Sequence, residues 1–188
     1  DDPATLATYR EDYTEADPGV PEIIAFASET SQVQKIVAEA HARRVPITPC
    51  VYRTNVGGLT VPGAGGVVLD MTRMDRVLEV NADDMYAIIE PGVTQQILKD
   101  HLEKNGIPLT LGYSLAPPWT SVFANALLGG LTNRSLKYGD QSAWISGLEV
   151  ALPDGTLMKT GSWAQAGALP FGRVPFPEGQ IIEHHLRT

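Results

Sequence analysis

The chain has 188 residues, of which 43% are hydrophobic, and carries a formal net charge of -8 at pH 7, with a pI near 4.9. A chain of this size removes roughly two thirds of its unfolded surface from water, so one domain or two small lobes is expected. The acidity excludes a nucleic-acid or anionic-membrane partner, which needs clustered cations, and no apolar run approaches the roughly 20 residues of a membrane span or the pattern of a signal peptide; a cytoplasmic protein handling a small-molecule substrate is expected.

The N-terminal segment, residues 1–19, opens an acidic stretch in which Asp1, Asp2, Glu11, Asp12, Glu15, Asp17, Glu22 and Glu29 face only Arg10. Such a run predicts a solvated face. Next comes a strand over Glu22 to Phe26, followed by a helix from Ser31 to Arg44 in which Val33, Ile36, Val37 and Ala40 recur at helical spacing. Ser31 and Gln34 stand at the spacing of a capping box. The segment Val45 to Pro49 completes a strand–helix–strand unit, and its prolines allow a strand only at its ends or at a sheet edge.

From Pro49 to Gly57-Gly58 the chain has neither helical nor alternating period. A loop is predicted there, with backbone N–H groups converging on one point. Cys50 is the single cysteine, which excludes an intramolecular disulfide and a cysteine-rich zinc site. Its short side chain is expected to be buried. The histidines, at 41, 101, 184 and 185, are too scattered for a metal site.

Strands are predicted at Gly66 to Asp70, Arg76 to Val80 and Met85 to Glu90, the last two as a hairpin around Ala82, Asp83 and Asp84. Pro91-Gly92 ends the third, and Thr94 is placed to cap a helix carrying Ile97, Leu98 and Leu102 that stops at Asn105-Gly106. Thr120 is placed to cap a further short helix. The turn Pro153-Asp154-Gly155 separates the strands Leu148 to Leu152 and Thr156 to Lys159. From Gly161 onward small residues and prolines dominate, and 162–188 read as a tail or a connection to a further, substrate-binding domain. The alternation of elements predicts an α+β fold.

Several junctions carry a resemblance in order and spacing. The sequence from Gly66-Val67-Val68-Leu69-Asp70 through Arg76-Val77-Leu78-Glu79-Val80 to Glu90-Pro91-Gly92-Val93-Thr94 is followed by Thr120-Ser121-Val122-Phe123-Ala124-Asn125. Then come Tyr138-Gly139-Asp140 and Gly147 to Gly155. Together these resemble the FAD-binding domain of the vanillyl-alcohol oxidase and p-cresol methylhydroxylase superfamily over about residues 20–161. The resemblance implies a two-lobed domain: a small strand–helix–strand lobe and a larger lobe of mixed or antiparallel sheet with flanking helices, with the boundary near 60–66. FAD lies extended between them. The implied function is that of an FAD-dependent oxidoreductase, or a part or subunit of one, taking hydride from an alcohol, hydroxy acid or alkylphenol, with a partner subunit or an additional C-terminal domain. The alternative is a cofactor-free structural or regulatory subunit that retains the fold.

By the same resemblance, Val51, Tyr52, Arg53, Thr54, Asn55 and Gly57 belong to the loop that wraps the pyrophosphate with backbone N–H groups. Pro91 and the segment Thr120, Ser121, Ala124 and Asn125 lie along the ribityl and isoalloxazine, with Tyr138, Gly139 and Asp140 nearby. Pro91 and Asn125 are expected to approach each other across the cleft. The chain departs from the family pattern in having Val51, Tyr52 and Arg53 where the loop is usually glycine-rich, and Ala124 in place of a glycine. The positions of the family's catalytic acid and loop tyrosine fall near Ala116 and Val56, neither of which can do that chemistry. No catalytic residue is assigned.

Overall fold

The computed structural model describes residues 2–110, 112 and 114–164. The expected tail lies outside the described residues from 165 onward.

Three short strands, β1 (Ile23–Phe26), β2 (Ile47–Cys50) and β3 (Val67–Asp70), form a parallel sheet with β3 in the middle. Ile23 and Ile47 both align with Val67, and Phe26 and Cys50 both align with Asp70. All four residues of β3 are buried, as the continuous apolar run Val67-Val68-Leu69 requires of a central parallel strand. Pro49 sits within β2, which the ladder tolerates because β2 is an edge. The first sheet ends at Asp70, because its middle strand is the last of the three in the chain.

Helix α2 (Thr30–Arg43), which joins β1 to β2, packs Val33, Ile36 and Val37 against a core of Ala27, Leu69 and Met74. The capping box expected at Ser31 and Gln34 does not form. The helix starts a residue earlier, with Glu29 as its cap position and no side-chain cap bond. Gln32 instead accepts from the Ser28 N–H at 2.8 Å. Gln34 turns to donate to the Gly155 carbonyl at 2.7 Å, tying the helix to a distant turn.

The other face of the sheet is covered by the N-terminal segment. Asp2 caps the short helix α1 (Pro3–Ala7), and Leu6 and Tyr9 join Ile24, Cys50 and Val68 in a second cluster. The Tyr9 hydroxyl donates to the buried Asp70 carboxylate at 2.7 Å. The acids of this stretch do face solvent, with Asp2, Glu11, Glu15, Asp17, Glu22 and Glu29 exposed and Asp12 partly buried; charge counting missed two apolar anchors, Leu6 and Tyr9, that fit the uncovered side of the sheet.

Beyond Asp70 the larger lobe holds two separate antiparallel hairpins, β4 (Val77–Asn81) with β5 (Tyr86–Ile89), and β6 (Glu149–Ala151) with β7 (Leu157–Lys159). Helix α3 (Gln95–Lys104) is capped by Thr94, whose side chain accepts from the Ile97 N–H at 3.1 Å. Its Leu98 and Leu102 pack with Val93 against Val77, Val80 and Ile89. Two short helices, α4 (Val122–Leu127) and α5 (Ser135–Tyr138), and a 3-10 turn over Gln141–Trp144 complete the lobe. Among the described residues, no helix is long and apolar enough to cross a membrane. The mixture is α+β.

Candidate functional site

Three segments meet between the two lobes: the loop after β2, the Pro91-Gly92 turn after β5, and the N-terminus of α4. The Tyr52 hydroxyl donates to the Gly92 carbonyl at 2.8 Å, and the Thr54 and Thr120 hydroxyls pair at 3.2 Å. The Ser121 hydroxyl donates to the Pro91 carbonyl at 2.6 Å while accepting from the Ala124 N–H at 3.0 Å. Ser121 is therefore the cap of α4, correcting the expectation for Thr120, whose hydroxyl is taken up by the loop. The Val122 N–H donates to the Val93 carbonyl at 2.9 Å and Thr94 bridges Ser121, so this contact is backbone as well as side chain.

Gly92 is required by close approach. A Cβ there would lie 2.7 Å from the carbonyl oxygens of Met74 and Thr72 and 2.9 Å from that of Met71. The turn at 71–74 thus packs directly on the backbone that carries Pro91.

The loop from Val51 to Thr60 contains no helix or strand. Arg53 adopts a left-handed backbone, φ 52°. Among the described residues, no protein acceptor takes up the backbone N–H groups of Tyr52, Arg53, Thr54, Asn55 and Val56. Tyr52 to Asn55 are only partly exposed while Val56 is exposed, and backbone N–H groups without a protein partner are open to an anionic one.

The side chains of this loop bond back onto the protein. The Arg53 guanidinium lies 4.1 Å from the centre of the Tyr9 ring and donates to the Thr8 carbonyl, so its charge is spent on the N-terminal segment. Asn55 donates to Asp12 at 2.8 Å and to the Thr60 hydroxyl at 3.1 Å, while its carbonyl oxygen accepts from the Gly57 N–H at 2.8 Å. It folds the loop and has no amide hydrogen left to reach outward.

One turn along α4, Asn125 does not turn to Pro91. Its amide donates to Ser114 at 3.3 Å and to the buried Gln141 carbonyl oxygen. Its side chain fills the space where Gly130 lacks a Cβ. Ala124 is partly buried beside it. Tyr138 is exposed, with Lys137 4.9 Å over its ring, and this cation holds the phenol below its ordinary pKa. Gly139 has φ 76°, and Asp140 caps the 3-10 turn by accepting from the Ser142 N–H at 2.9 Å. The structure thus joins Tyr52, Thr54, Pro91, Thr120 and Ser121 by direct bonds, and sets Asn125 and Asp140 around Gln141 as supports. Sequence reasoning missed Gln141, whose isolated position carries no signal, and Asp12, which it counted as one acid among many.

Two buried groups flank the site. Burial, and then the nearby Asp70 carboxylate, push the Cys50 thiol up to about 12. It lies 4% exposed among Tyr9, Ile24 and Val68, inert as a nucleophile. Glu90, just before Pro91, is 6% exposed and is held by Arg76 through bonds of 2.6 and 3.1 Å from the guanidinium and 2.9 Å from the backbone N–H. Burial alone would raise this carboxyl, but the Arg76 bonds outweigh it and hold it below its ordinary value of 4.5.

A depressed folded-state carboxyl stabilises above the unfolded value and loses that contribution as pH falls through the folded one. Arg76→Ala is therefore expected to cost about 1–2 kcal/mol at neutral pH, less than for a fully buried pair because Arg76 is largely exposed. Urea unfolding at stepped pH should show the gap between parent and variant closing as pH falls below 4.5.

An open groove of about 460 Å³ lies between the hairpins, lined by Met71, Met74, Ile88, Phe123 and Trp144, and reaches the junction at Glu90 and Pro91.

The sequence family described as FAD binding domain matches residues 21–161. The chain is 31% identical over 149 residues to the mitochondrial D-lactate dehydrogenase (cytochrome) of Arabidopsis thaliana, a match covering 79% of this chain and 26% of that protein. It is 30% identical over 167 residues to glycolate oxidase subunit GlcD of Bacillus subtilis, covering 86% of this chain and 34% of that one. The structure of 4-ethylphenol oxidase from Gulosibacter chungangensis, in its isoeugenol complex, superposes with a TM-score of 0.78 at 31% identity, over 89% of this chain and 32% of the other. p-Cresol methylhydroxylase with substrate bound superposes with a TM-score of 0.73 at 23% identity, covering 89% of this chain and 33% of that one, a likeness of fold alone. The chain thus spans about a quarter to a third of the length of these relatives.

Proposed function

The chain belongs to the FAD-binding domain family, of the p-cresol methylhydroxylase type, and from that premise we propose that it is the FAD-holding part of an oxidoreductase acting on a small organic substrate such as a hydroxy acid, alcohol or alkylphenol. The observation that carries this reading is the run of five consecutive N–H groups, Tyr52 to Val56, left without protein acceptors among the described residues, in a loop pinned to both Gly92 and Thr120. A run of backbone donors without protein acceptors suits the pyrophosphate of FAD. The family match and the relatives favour FAD binding over a cofactor-free subunit.

In this reading the backbone N–H groups of Tyr52 to Val56 hold the phosphates, flanked by Val51 and by Gly57, whose own N–H is taken by the Asn55 carbonyl oxygen. Pro91, Thr120, Ser121 and Ala124 lie along the rest of the cofactor, and Asn125, Tyr138, Gly139 and Asp140 frame that surface. When bound, the flavin supplies the redox chemistry by accepting hydride. The chain's own residues bind and orient it: Tyr52 and Thr54 fix the loop to the larger lobe, and Pro91 offers a flat apolar edge with no N–H to leave unpaired. No acid or base is placed at Ala116 or Val56, and Leu115 and Trp119 in the same stretch are largely exposed. Substrate chemistry therefore falls to a partner subunit or a further domain.

Titration of the purified chain with FAD, followed by quenching of flavin fluorescence and by the rise in melting temperature, tests the reading. Saturable binding of one FAD per chain is expected. Neither quenching nor thermal stabilisation at saturating FAD would overturn it and return the cofactor-free subunit.

A further inference from the structure

We propose that Asp12, in the N-terminal segment outside the family-matched residues 21–161, is a positioning residue that shapes the phosphate loop from behind. This rests on the FAD reading above. The Oδ2 atom of Asp12 accepts from Asn55 Nδ2 at 2.8 Å, from the Thr60 hydroxyl at 3.0 Å and from the Thr60 N–H at 3.4 Å. Its Oδ1 accepts from the Thr14 N–H at 2.9 Å, and the neighbouring Tyr13 N–H donates to the Asn55 carbonyl at 3.3 Å.

A carboxylate only accepts, so it decides which way the Asn55 amide faces. With Nδ2 drawn to Asp12, the Asn55 carbonyl oxygen is left to gather the N–H groups of Gly57 at 2.8 Å and Leu59 at 3.3 Å. These bonds close the base of the loop and leave the N–H groups from Tyr52 to Val56 free for an anion. A second tie comes from the same segment, since Arg53 rests on Tyr9, which is itself fixed to Asp70. An acid placed near a phosphate site would ordinarily repel it. Here both oxygens are turned onto donors of the loop and its own segment, so the charge organises donors without facing the ligand.

The experiment uses the 188-residue chain and compares the parent with Asp12→Ala, Asp12→Asn and Thr60→Val. Glu15→Gln serves as a control that removes the same charge from an exposed neighbour. Two readouts are taken: FAD affinity, and amide hydrogen exchange at Gly57, Leu59 and Thr60 without FAD. Asp12→Ala is expected to weaken FAD about tenfold or more and to speed exchange at all three amides. Asp12→Asn, which keeps one acceptor, and Thr60→Val should fall between it and the parent, and Glu15→Gln should match the parent.

If Asp12→Ala does not fold, Asp12→Asn and Thr60→Val decide by the same two readouts. Parent-like or tighter FAD binding by the Asp12 and Thr60 variants would overturn the role of Asp12 while leaving the FAD reading intact. Weaker binding with unchanged exchange would overturn it too, because the loop would then not have been reshaped. A parent that binds no FAD would instead overturn the functional reading, and this proposal with it.

Discussion

Gly92→Ala is expected to destabilise the chain by about 3 kcal/mol and to abolish measurable FAD binding. The new methyl would meet three backbone carbonyl oxygens, those of Met71, Thr72 and Met74, at 2.7 to 2.9 Å. Backbone cannot rotate aside as a side-chain tip can, so either the turn at 71–74 or the Pro91-Gly92 turn must move. The first holds Met74 in the core behind α2, and the second presents the carbonyl that receives the Tyr52 hydroxyl. Movement of either one shifts the loop against Pro91. Urea unfolding measures the first effect and FAD titration the second. Gly63→Ala is the control, since a Cβ there meets nothing within 4 Å, and it should stay within about 0.5 kcal/mol of the parent. A Gly92→Ala protein as stable as Gly63→Ala would show that the turns are not locked together.

Ser121→Ala is expected to cost about 2–4 kcal/mol. The side chain is 1% exposed and does two jobs with one hydroxyl. As the cap of α4 it accepts from the Ala124 N–H, a role worth about 1 kcal/mol. As a donor it satisfies the partly buried Pro91 carbonyl, and leaving that acceptor bare adds about 1–3 kcal/mol. Ser121→Thr keeps both bonds and should recover most of the loss unless its methyl is refused. Thr120→Val breaks only the 3.2 Å bond to Thr54 and should cost about 1 kcal/mol. Equal unfolding midpoints for Ser121→Ala and Thr120→Val would remove Ser121 from the junction. On the proposed FAD reading, affinity should fall in the same order, because the bond at Pro91 joins α4 to the turn proposed to lie along the cofactor.

The sequence by itself determined the parts whose signals are local. Apolar residues at helical spacing placed α2 and α3, the turn chemistry of Pro153-Asp154-Gly155 placed the last hairpin, and loss of period after Pro49 placed the loop, because these follow from backbone preference and burial within a few residues. The ordered set of junctions was enough to mark the fold. Only the tertiary structure decided the rest, and in each case the partner lies far away in the chain. β3 became the middle of the first sheet because Val67, Val68 and Leu69 can be buried on both faces and the buried Asp70 at its end finds the Tyr9 hydroxyl. Ser121 rather than Thr120 became the cap because its hydroxyl also had Pro91 to satisfy. The side chains of Arg53 and Asn55 found their partners in Thr8 and Asp12, 45 and 43 positions away. A polar side chain has many possible partners of nearly equal strength, and folding selects among them only when packing has brought one within bonding distance.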